Sequence, residues 1–195
     1  MKKTLSVLLV LLTLAGCSAT SSEPAVNTFV LPTPAAQSQL VTRDGQPLLI
    51  VQPVEMADYL AGTGLVYKVS DSEIVIAQQN LWGESIANQL TRRITRELRA
   101  DQKAYWPVEL TPAMATQSLP SLQVKISAFN GDYNGNAEVS GEWMVLDGNG
   151  ELEYVREFSY LIPLDESGYQ ALVSALSKGV EQLTTSIAGT IAKTK

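Results

Sequence analysis

The chain has 195 residues, 45% of them hydrophobic and 17% charged, and a formal net charge of −6. This length suits a single domain with its own core, and the acidic balance repels phosphate backbones, so nucleic acid is not expected as a partner. The chain has no histidine and one cysteine, Cys17. Zinc sites and imidazole-assisted nucleophiles therefore lack their usual residues, and an intrachain disulfide is excluded.

Residues 1–16 have the layout of a secretory signal peptide. Lys2 and Lys3 supply a positive start, an apolar run covers positions 5–14, and small residues precede Cys17. A transmembrane helix needs about 20 apolar residues, so this run is too short to remain as one. The order Leu14-Ala15-Gly16-Cys17 resembles the lipobox of bacterial lipoproteins.

The lipobox resemblance implies cleavage before Cys17, a diacylglycerol on its thiol and an acyl chain on the new amine. One acyl chain binds a bilayer only marginally, whereas several on one residue make release very slow. The alternative is a cysteine that merely follows a signal peptide. Among bacterial lipoproteins, serine at the next position, here Ser18, favours the outer membrane over the inner one. We expect no cofactor besides this covalent lipid.

The chain after Cys17 divides into a tether and a domain. Residues 17–28 are small, polar and interrupted by proline, which predicts a flexible tether because few apolar groups offset the ordering entropy. We predict one α+β domain over residues 29–195, beginning with a short strand in "FVLPTP".

The first half of the domain predicts short strands followed by a helix. Strands are expected at 48–54, 65–69 and 73–77, the last two as a hairpin, and "AYWPVEL" as a short extended piece. Between them, Asn80 is the predicted N-cap of a helix whose apolar face repeats every four residues at Ile86, Leu90, Ile94 and Leu98.

The second half predicts three strands and a closing helix. Alternating residues indicate strands over 122–128, 137–145 and 152–162, with Asn134-Gly135 as a type I′ turn and a tight reversal at 147–150. Ser167 and Gln170 resemble a capping box. The helix after them carries an apolar stripe from Tyr169 to Ile191.

These elements predict an α+β fold, a mostly antiparallel sheet with two amphipathic helices packed on one face. The other face is expected to be solvated or to face a partner. It carries Glu138, Ser140, Glu142, Glu151, Glu153 and Glu157.

Little in the sequence predicts catalysis or a metal site. There is no GxxxxGK[ST] or GxGxxG motif, and "DGNGE" suits a hairpin turn better than a calcium loop. Carboxylate-only catalysis remains open, but a solvated strand face explains the same glutamates, so we predict a protein that is not an enzyme. Trp82, Trp106 and Trp143 are expected in the core.

A basic set on the first helix allows two interpretations. Arg92, Arg96, Arg99 and Lys103 lie opposite the apolar stripe. They form either a solvated helix face or a contact for anionic lipid or an acidic partner.

Several segments together resemble the ABC-type transport auxiliary lipoproteins. These are "YLAGTGLVYKVSDSEIVIAQQNLW" (59–82), "FNGDYNG" (129–135), "VSGEW" (139–143) and "GYQALVSAL" (168–176). The positions that match the family pattern are Tyr59, Leu60, Gly64, Tyr67, Asn80, Trp82, Phe129, Gly131, Gly141 and Trp143. Most of them are expected to be structural, since glycines suit turns and aromatics suit packing.

This resemblance implies a role as well as a fold. Such lipoproteins are outer-membrane-anchored partners of mammalian-cell-entry (MCE) type systems, which move lipids between the two membranes across the periplasm. The resemblance implies an MCE-domain periplasmic protein as partner and a homo-oligomeric ring that receives the conduit. Two alternatives stay open: a periplasmic carrier that binds lipid between helices and sheet, and an assembly lipoprotein for an outer-membrane barrel.

Overall fold

The structure is a computed structural model that describes residues 25–32 and 42–194. Within these residues, nine strands form one sheet and two long helices form a layer on it. The strands are β1 (Asn27–Phe29), β2 (Leu48–Val51), β3 (Glu55–Met56), β4 (Gly64–Lys68), β5 (Ile74–Trp82), β6 (Trp106–Glu109), β7 (Ser121–Asp132), β8 (Asn136–Leu146) and β9 (Leu152–Pro163). The helices are α1 (Ile86–Asp101) and α2 (Tyr169–Ile191).

Strand β7 is the centre of the sheet. One of its edges pairs antiparallel with β8, which pairs antiparallel with β9. Its other edge pairs parallel with β2, β3 and β4 in turn. Strand β6 extends the sheet beyond β2, and β5 and β1 extend it beyond β4. The α+β class is confirmed, but the sheet is mixed rather than purely antiparallel. The order and direction of neighbouring strands depend on tertiary pairing, which the alternation of residues within one strand does not specify.

The helices cover one face of the sheet. The alternate β8 residues Val139, Trp143 and Val145 are buried on that face. A Cβ at Gly179 of α2 would lie 2.5 Å from Val139 Cγ2, so helix and sheet approach closely at this point. Close contact of this kind fills the core to the density of a protein interior.

Both predicted helix starts are wrong. Asn80 lies in β5, where it pairs with Asn27 of β1, and the N-cap of α1 is Ser85, whose hydroxyl accepts from the Asn88 N–H at 3.4 Å. Pairing with β1 and β4 extends β5 beyond the predicted end at residue 77 and overrides the capping preference of asparagine. The N-cap of α2 is Gly168, which makes no side-chain cap hydrogen bond, so the Ser167–Gln170 capping box does not form.

The turn between β7 and β8 also differs from the predicted two-residue type I′ turn. The loop has three residues, 133–135, and Gly135 has φ 82°. The Asp132 carboxylate accepts from the backbone N–H groups of Asn134 and Asn136 at 2.9 and 2.8 Å. This capture of two amides by one side chain favours the longer loop. The reversal at 147–150 is confirmed by the Gly150 N–H bond to Asp147 O at 3.1 Å.

Strand β1 begins at Asn27, within the last residues of the predicted tether. The predicted signal peptide, Cys17 and residues 18–24 of the predicted tether lie outside the described residues.

Candidate functional site

The candidate site is the face of β7, β8 and β9 that lies opposite the helices, called here the outer face. Residues paired across strands point to the same side of a sheet. Lys125, Glu142 and Glu157 pair in one row, and Asn130, Glu138 and Leu161 pair in another. Ser140 and Ser159 lie in the row between them. The structure therefore brings Glu138, Ser140, Glu142 and Glu157 together as predicted.

Two of the predicted glutamates take other positions. Glu151 lies in the turn before β9, where its N–H donates to the Asp147 carboxylate at 2.9 Å. Glu153 occupies an irregularity at which the β8–β9 register shifts between Leu146–Leu152 and Val145–Tyr154. Strand alternation fixes a face only where the register is regular, so the sequence pattern could not assign these two residues.

The outer face also carries apolar residues that the sequence interpretation missed. Leu161 and Val155 of β9 are 59% and 48% exposed, and Val155 pairs with Met144 of β8. Leu152, predicted as inward-facing, is also exposed at the register shift. The sequence pattern could have placed them on this face, because Val155 and Leu161 fall on the same alternate positions as Glu157. A mixed acidic and apolar surface is typical of a protein contact rather than of a face built only for solubility.

A groove of about 820 Å³ crosses the outer face at a β-bulge. Ile126 pairs with Gly141 and Ala128 with Ser140, so Ser127 is the extra residue. A Cβ at Gly141 would lie 2.0 Å from Lys125 O. Only glycine permits this approach, and the bulge that it allows turns β7 and forms the groove.

The charges along the groove are mostly negative. Glu55, Glu142 and Glu157 line it together with one cation, Lys125. Lys125 Nζ lies 3.9 Å from Glu55 Oε2, and both side chains are at least half exposed. Exposed ion pairs contribute little stability, so these charges are available for electrostatic attraction of a basic or polar partner.

Tyr59, which follows β3 in the chain, supports the bulge. Its hydroxyl donates to the backbone oxygen of Ser127 at 2.8 Å. Burial raises the pKa of the Tyr59 phenol, and the Glu138 carboxylate raises it further. The phenol therefore stays protonated and keeps its donor for the bulge.

The other positions that match the family pattern are structural. Leu60, Trp82, Phe129 and Trp143 are buried, and the Trp82 and Phe129 rings lie 6.1 Å apart. The remaining positions hold close contacts. A Cβ at Gly131 would meet the Tyr67 ring at 2.3 Å, and one at Gly64 would meet Ala77 O at 2.4 Å. Of the tryptophans expected in the core, Trp106 is only partly buried.

A buried ion pair that the sequence interpretation missed joins the helices. Arg93 Nε donates to Glu97 Oε1 at 2.6 Å, and its other nitrogens donate to Ser177 Oγ at 2.6 Å and Ser177 O at 2.8 Å. Glu97 also accepts from the Thr184 hydroxyl. Arg93 further donates to Pro32 O at 3.1 Å, which holds the segment after β1 against α1. The i,i+4 spacing of Arg93 and Glu97 indicates an ion pair, but it does not predict burial, because the same spacing is equally common on exposed helix faces.

The predicted basic set on α1 is divided among different contacts. Arg92 pairs with Glu84. Arg99 donates to Pro107 O at 2.7 Å, and its guanidinium lies 5.1 Å from the Trp106 ring centroid. Arg96 and Lys103 are exposed. Arg99 is thus a packing residue, whereas Arg92, Arg96 and Lys103 are exposed, and Lys103 lies beyond the end of α1 at Asp101.

The arrangement favours binding over chemistry. Among residues 25–32 and 42–194, no group of three carboxylate, cysteine or histidine side chains could hold a metal ion. In that same part of the chain, no helix is both long and apolar enough to cross a membrane. The outer face offers shape, negative charge and exposed apolar area, which are the elements of a docking surface.

Comparison with known proteins gives consistent results. Residues 29–188 match the family described as the ABC-type transport auxiliary lipoprotein component. The intermembrane transport lipoprotein PqiC of Escherichia coli (strain K12) is 38% identical over 188 residues, covering 96% of both chains. A crystal structure of an uncharacterized protein has a TM-score of 0.71 at 30% identity, covering 86% of this chain and 99% of that one. A structure from Xanthomonas campestris has a TM-score of 0.67 at 17% identity, covering 87% and 93%.

Proposed function

Because this chain belongs to the ABC-type transport auxiliary lipoprotein family, we propose that it is a lipid-anchored adaptor that docks a partner protein through its outer face. As a lipoprotein of intermembrane transport, it is not an enzyme. In the proposal, Cys17 carries the lipid, the anchor lies in the outer membrane, and the partner is the MCE-domain periplasmic protein of the same system. Confinement to the membrane raises the effective concentration for a long partner that reaches this layer.

The outer face is the observation that carries this function. Its groove lies on the face of the sheet opposite α1 and α2, its charges are mainly carboxylates, and Val155 and Leu161 expose apolar area beside them. Buried apolar contacts supply affinity, and the surrounding charges select the partner and its orientation.

The carrier alternative needs space between helices and sheet. The side chains that would line such a space, Val180, Leu183 and Ile187 of α2, have no exposed area and contact the sheet core. The observed packing therefore favours a docking role over lipid binding in this layer.

Photo-crosslinking in the native host tests the docking surface. A photoreactive residue in place of Ser159 on the outer face should capture an MCE-domain protein, whereas one in place of Gln182 on the helix side should not; both positions are exposed. Capture of an outer-membrane barrel from Ser159 would support the assembly alternative. Equal capture of the MCE protein from both positions would contradict the proposed surface.

Fractionation tests the anchor separately. Cys17→Ala should release the protein from the outer membrane and abolish complementation of a deletion strain, because no acyl chain then holds it to the bilayer. Cys17→Ala fused behind an outer-membrane lipoprotein leader that carries its own lipidated cysteine should restore both. Full complementation by the soluble variant at native expression would contradict the adaptor mechanism.

The proposal includes a ring of identical subunits, supported by the edge strand β9. Within the described residues, β9 pairs with β8 alone, so its second edge is open over Leu152–Pro163. Open edges are templates for pairing with another chain. Native mass spectrometry of the detergent-solubilised lipoprotein should give one closed oligomer, and Ser159→Pro should reduce it to smaller species. A strictly monomeric wild-type protein would contradict the ring.

A further inference from the structure

A second exposed surface lies at one end of the sheet and is called here the tip. It comprises residues 69–76, which contain the turn from β4 to β5, and the β7–β8 loop, residues 133–135. Lys68 of β4 pairs with Asp132 of β7, so the turn and the loop project from the same end of the sheet. The Tyr133 hydroxyl donates to Asp71 Oδ1 at 2.7 Å and joins the two into one surface.

The tip exposes apolar side chains. Val69, Ile74, Val75 and Ile76 are 40–48% exposed, and Tyr133 is 50% exposed. Consecutive strand residues point to opposite faces, so this end of β5 is exposed on both faces of the sheet. Single exposed apolar residues are ordinary, but a contiguous apolar patch marks a surface that contacts a partner or a membrane.

The tether joins the domain from the side of the tip. Strand β1 runs parallel to β5, and β5 begins at the tip, so the chain that precedes Asn27 comes from that direction. Residues 18–24 separate Cys17 from Ala25, a span of at most about 28 Å when extended. The tip is therefore within reach of the bilayer that holds Cys17 in the proposal above.

This entry point is fixed on the domain. The Leu31 N–H donates to Gln89 Oε1 at 2.8 Å, and Arg93 donates to Pro32 O at 3.1 Å. Both contacts are made by α1, so the short segment after β1 is held against a helix of the core. The side of the domain from which the anchor leaves is thus set by the fold.

The chemistry of the tip suits a neutral membrane interface. Tyrosine is favoured at membrane–water interfaces, because its ring is apolar and its hydroxyl stays in contact with water. Asp71 and Glu73 belong to the tip and Lys68 borders it, so an anionic surface would be repelled slightly. The polar turn at 70–73 limits the contact to the depth of the headgroups.

We propose that the tip contacts the leaflet that holds Cys17, with Tyr133 and Val75 in the interfacial region, so that the strands of the sheet stand on the membrane. This contact rests on the lipid anchor proposed above. In this orientation the bilayer does not cover the outer face, and the 147–150 turn points away from the membrane. The contact increases the fraction of molecules that are competent to dock, because it excludes orientations in which the outer face lies on the bilayer.

Hydroxyl-radical footprinting with peptide mass spectrometry tests the contact on the mature chain from Cys17 to Lys195. Cys17 is coupled to a maleimide lipid in phosphatidylcholine vesicles, so natural acylation is not required. Tyr133 and Val75 should be oxidised at least about threefold more slowly than in the chain without lipid. Leu152, 55% exposed at the opposite end of β9, lies about 35 Å along the strand and should be oxidised equally in both. Equal rates at Tyr133, or equal protection of Leu152, would overturn the orientation.

Partitioning provides a second readout, because a single acyl chain on Cys17 binds a bilayer only marginally. Coupled to such a lipid, the wild type should partition into phosphatidylcholine vesicles at least about fivefold more strongly than Val75→Ser/Tyr133→Ser. Leu152→Ser/Val155→Ser, which changes exposed apolar residues away from the tip, should match the wild type. Equal partitioning of all three chains would contradict the tip contact.

Salt distinguishes an apolar contact from an electrostatic one. About 1 M salt should leave the partitioning of the wild type intact, and its loss in salt would overturn the apolar contact. If native Cys17 proves unmodified while the coupled chain protects Tyr133, the anchor fails and the tip contact stands. If the natively acylated protein leaves Tyr133 unprotected, the tip contact fails and the anchor stands.

Discussion

The two faces of the sheet formed by β7, β8 and β9 come from the same strands but have different roles. Along β8, Val139 and Trp143 are buried on the helix side, whereas Glu138 and Glu142 alternate with them on the outer face. Strand alternation thus separates the residues that hold the fold together from those that are free to meet a partner. A substitution should therefore affect stability on one face and recognition on the other, and matched pairs of variants can test this division.

Two glutamates should give the largest contrast. Glu97 is fully buried between Arg93 and Thr184, and Glu157 is exposed on β9. Glu97→Ala leaves the Arg93 charge buried and unpaired, so the free energy of unfolding should fall by about 3–5 kcal/mol. Glu157→Ala should change it by less than about 0.5 kcal/mol. Urea unfolding measures both, and similar losses would contradict the division between the buried helix layer and the exposed outer face.

Two leucines give a contrast of similar kind without charge. Leu183 of α2 is completely buried and Leu161 of β9 is 59% exposed. Leu183→Ala should cost about 2–4 kcal/mol, because it leaves a cavity between helix and sheet. Leu161→Ala should leave thermal stability nearly unchanged while it weakens crosslinking to the partner from the neighbouring Ser159 position. Undiminished crosslinking would remove Leu161 from the docking surface.

The bulge at Ser127 can be loosened without a change in the core. Tyr59→Phe removes the hydroxyl that donates to Ser127 O, which should cost about 1 kcal/mol. Because burial and then Glu138 raise the Tyr59 pKa above 10.0, its contribution is fully present below pH 10 and is lost as pH rises through the folded pKa. Tyr133→Phe, at an exposed residue that bonds to Asp71, is the control. A Tyr59→Phe protein with unchanged stability would show that the bulge needs no such support.

Substitution of Asp147 should have the smallest effect on stability, and this effect should be confined to the turn before β9. Backbone N–H donors, that of Glu151 first and then that of Asn149, hold the pKa of its carboxyl below 3.8. A lowered folded pKa contributes stability above the unfolded value, and this is lost as pH falls through the folded pKa. Asp147→Asn should flatten the acid side of the stability curve slightly. NMR titration of the wild-type carboxyl at or above its ordinary pKa would contradict the turn geometry.

The sequence predicted most of what depends on local pattern. The apolar stripe of α2 and the alternation of Val139, Trp143 and Val145 indicated the buried face correctly, because burial imposes those periods. The outer glutamates of β8 followed from the same alternation. Where pairing between distant segments determines the structure, the local sequence pattern did not predict it. Asn80 became a strand residue through β1, and the parallel edge of β7 has no local signature.

The sequence predicted only part of the candidate site. Its charges could be assigned from Glu138, Glu142 and Glu157, but the groove depends on a bulge at Ser127, which adds one residue against Gly141. Nothing in the pattern of a single strand reveals an insertion relative to its partner. The Arg93–Glu97 pair has ordinary helix spacing, and only the arrival of Ser177 and Thr184 from α2 makes it a buried contact.

The affinity of the outer face for the purified MCE-domain protein that we propose as the partner tests the central claim most directly. The double charge reversal Glu142→Lys/Glu157→Lys should weaken binding by at least about tenfold, since it replaces attraction with repulsion at the groove. The control Glu166→Lys/Glu181→Lys makes the same change in charge at exposed positions next to and on α2 and should stay within about twofold of the wild type. Equal weakening by both variants, or none by the first, would contradict docking through the outer face.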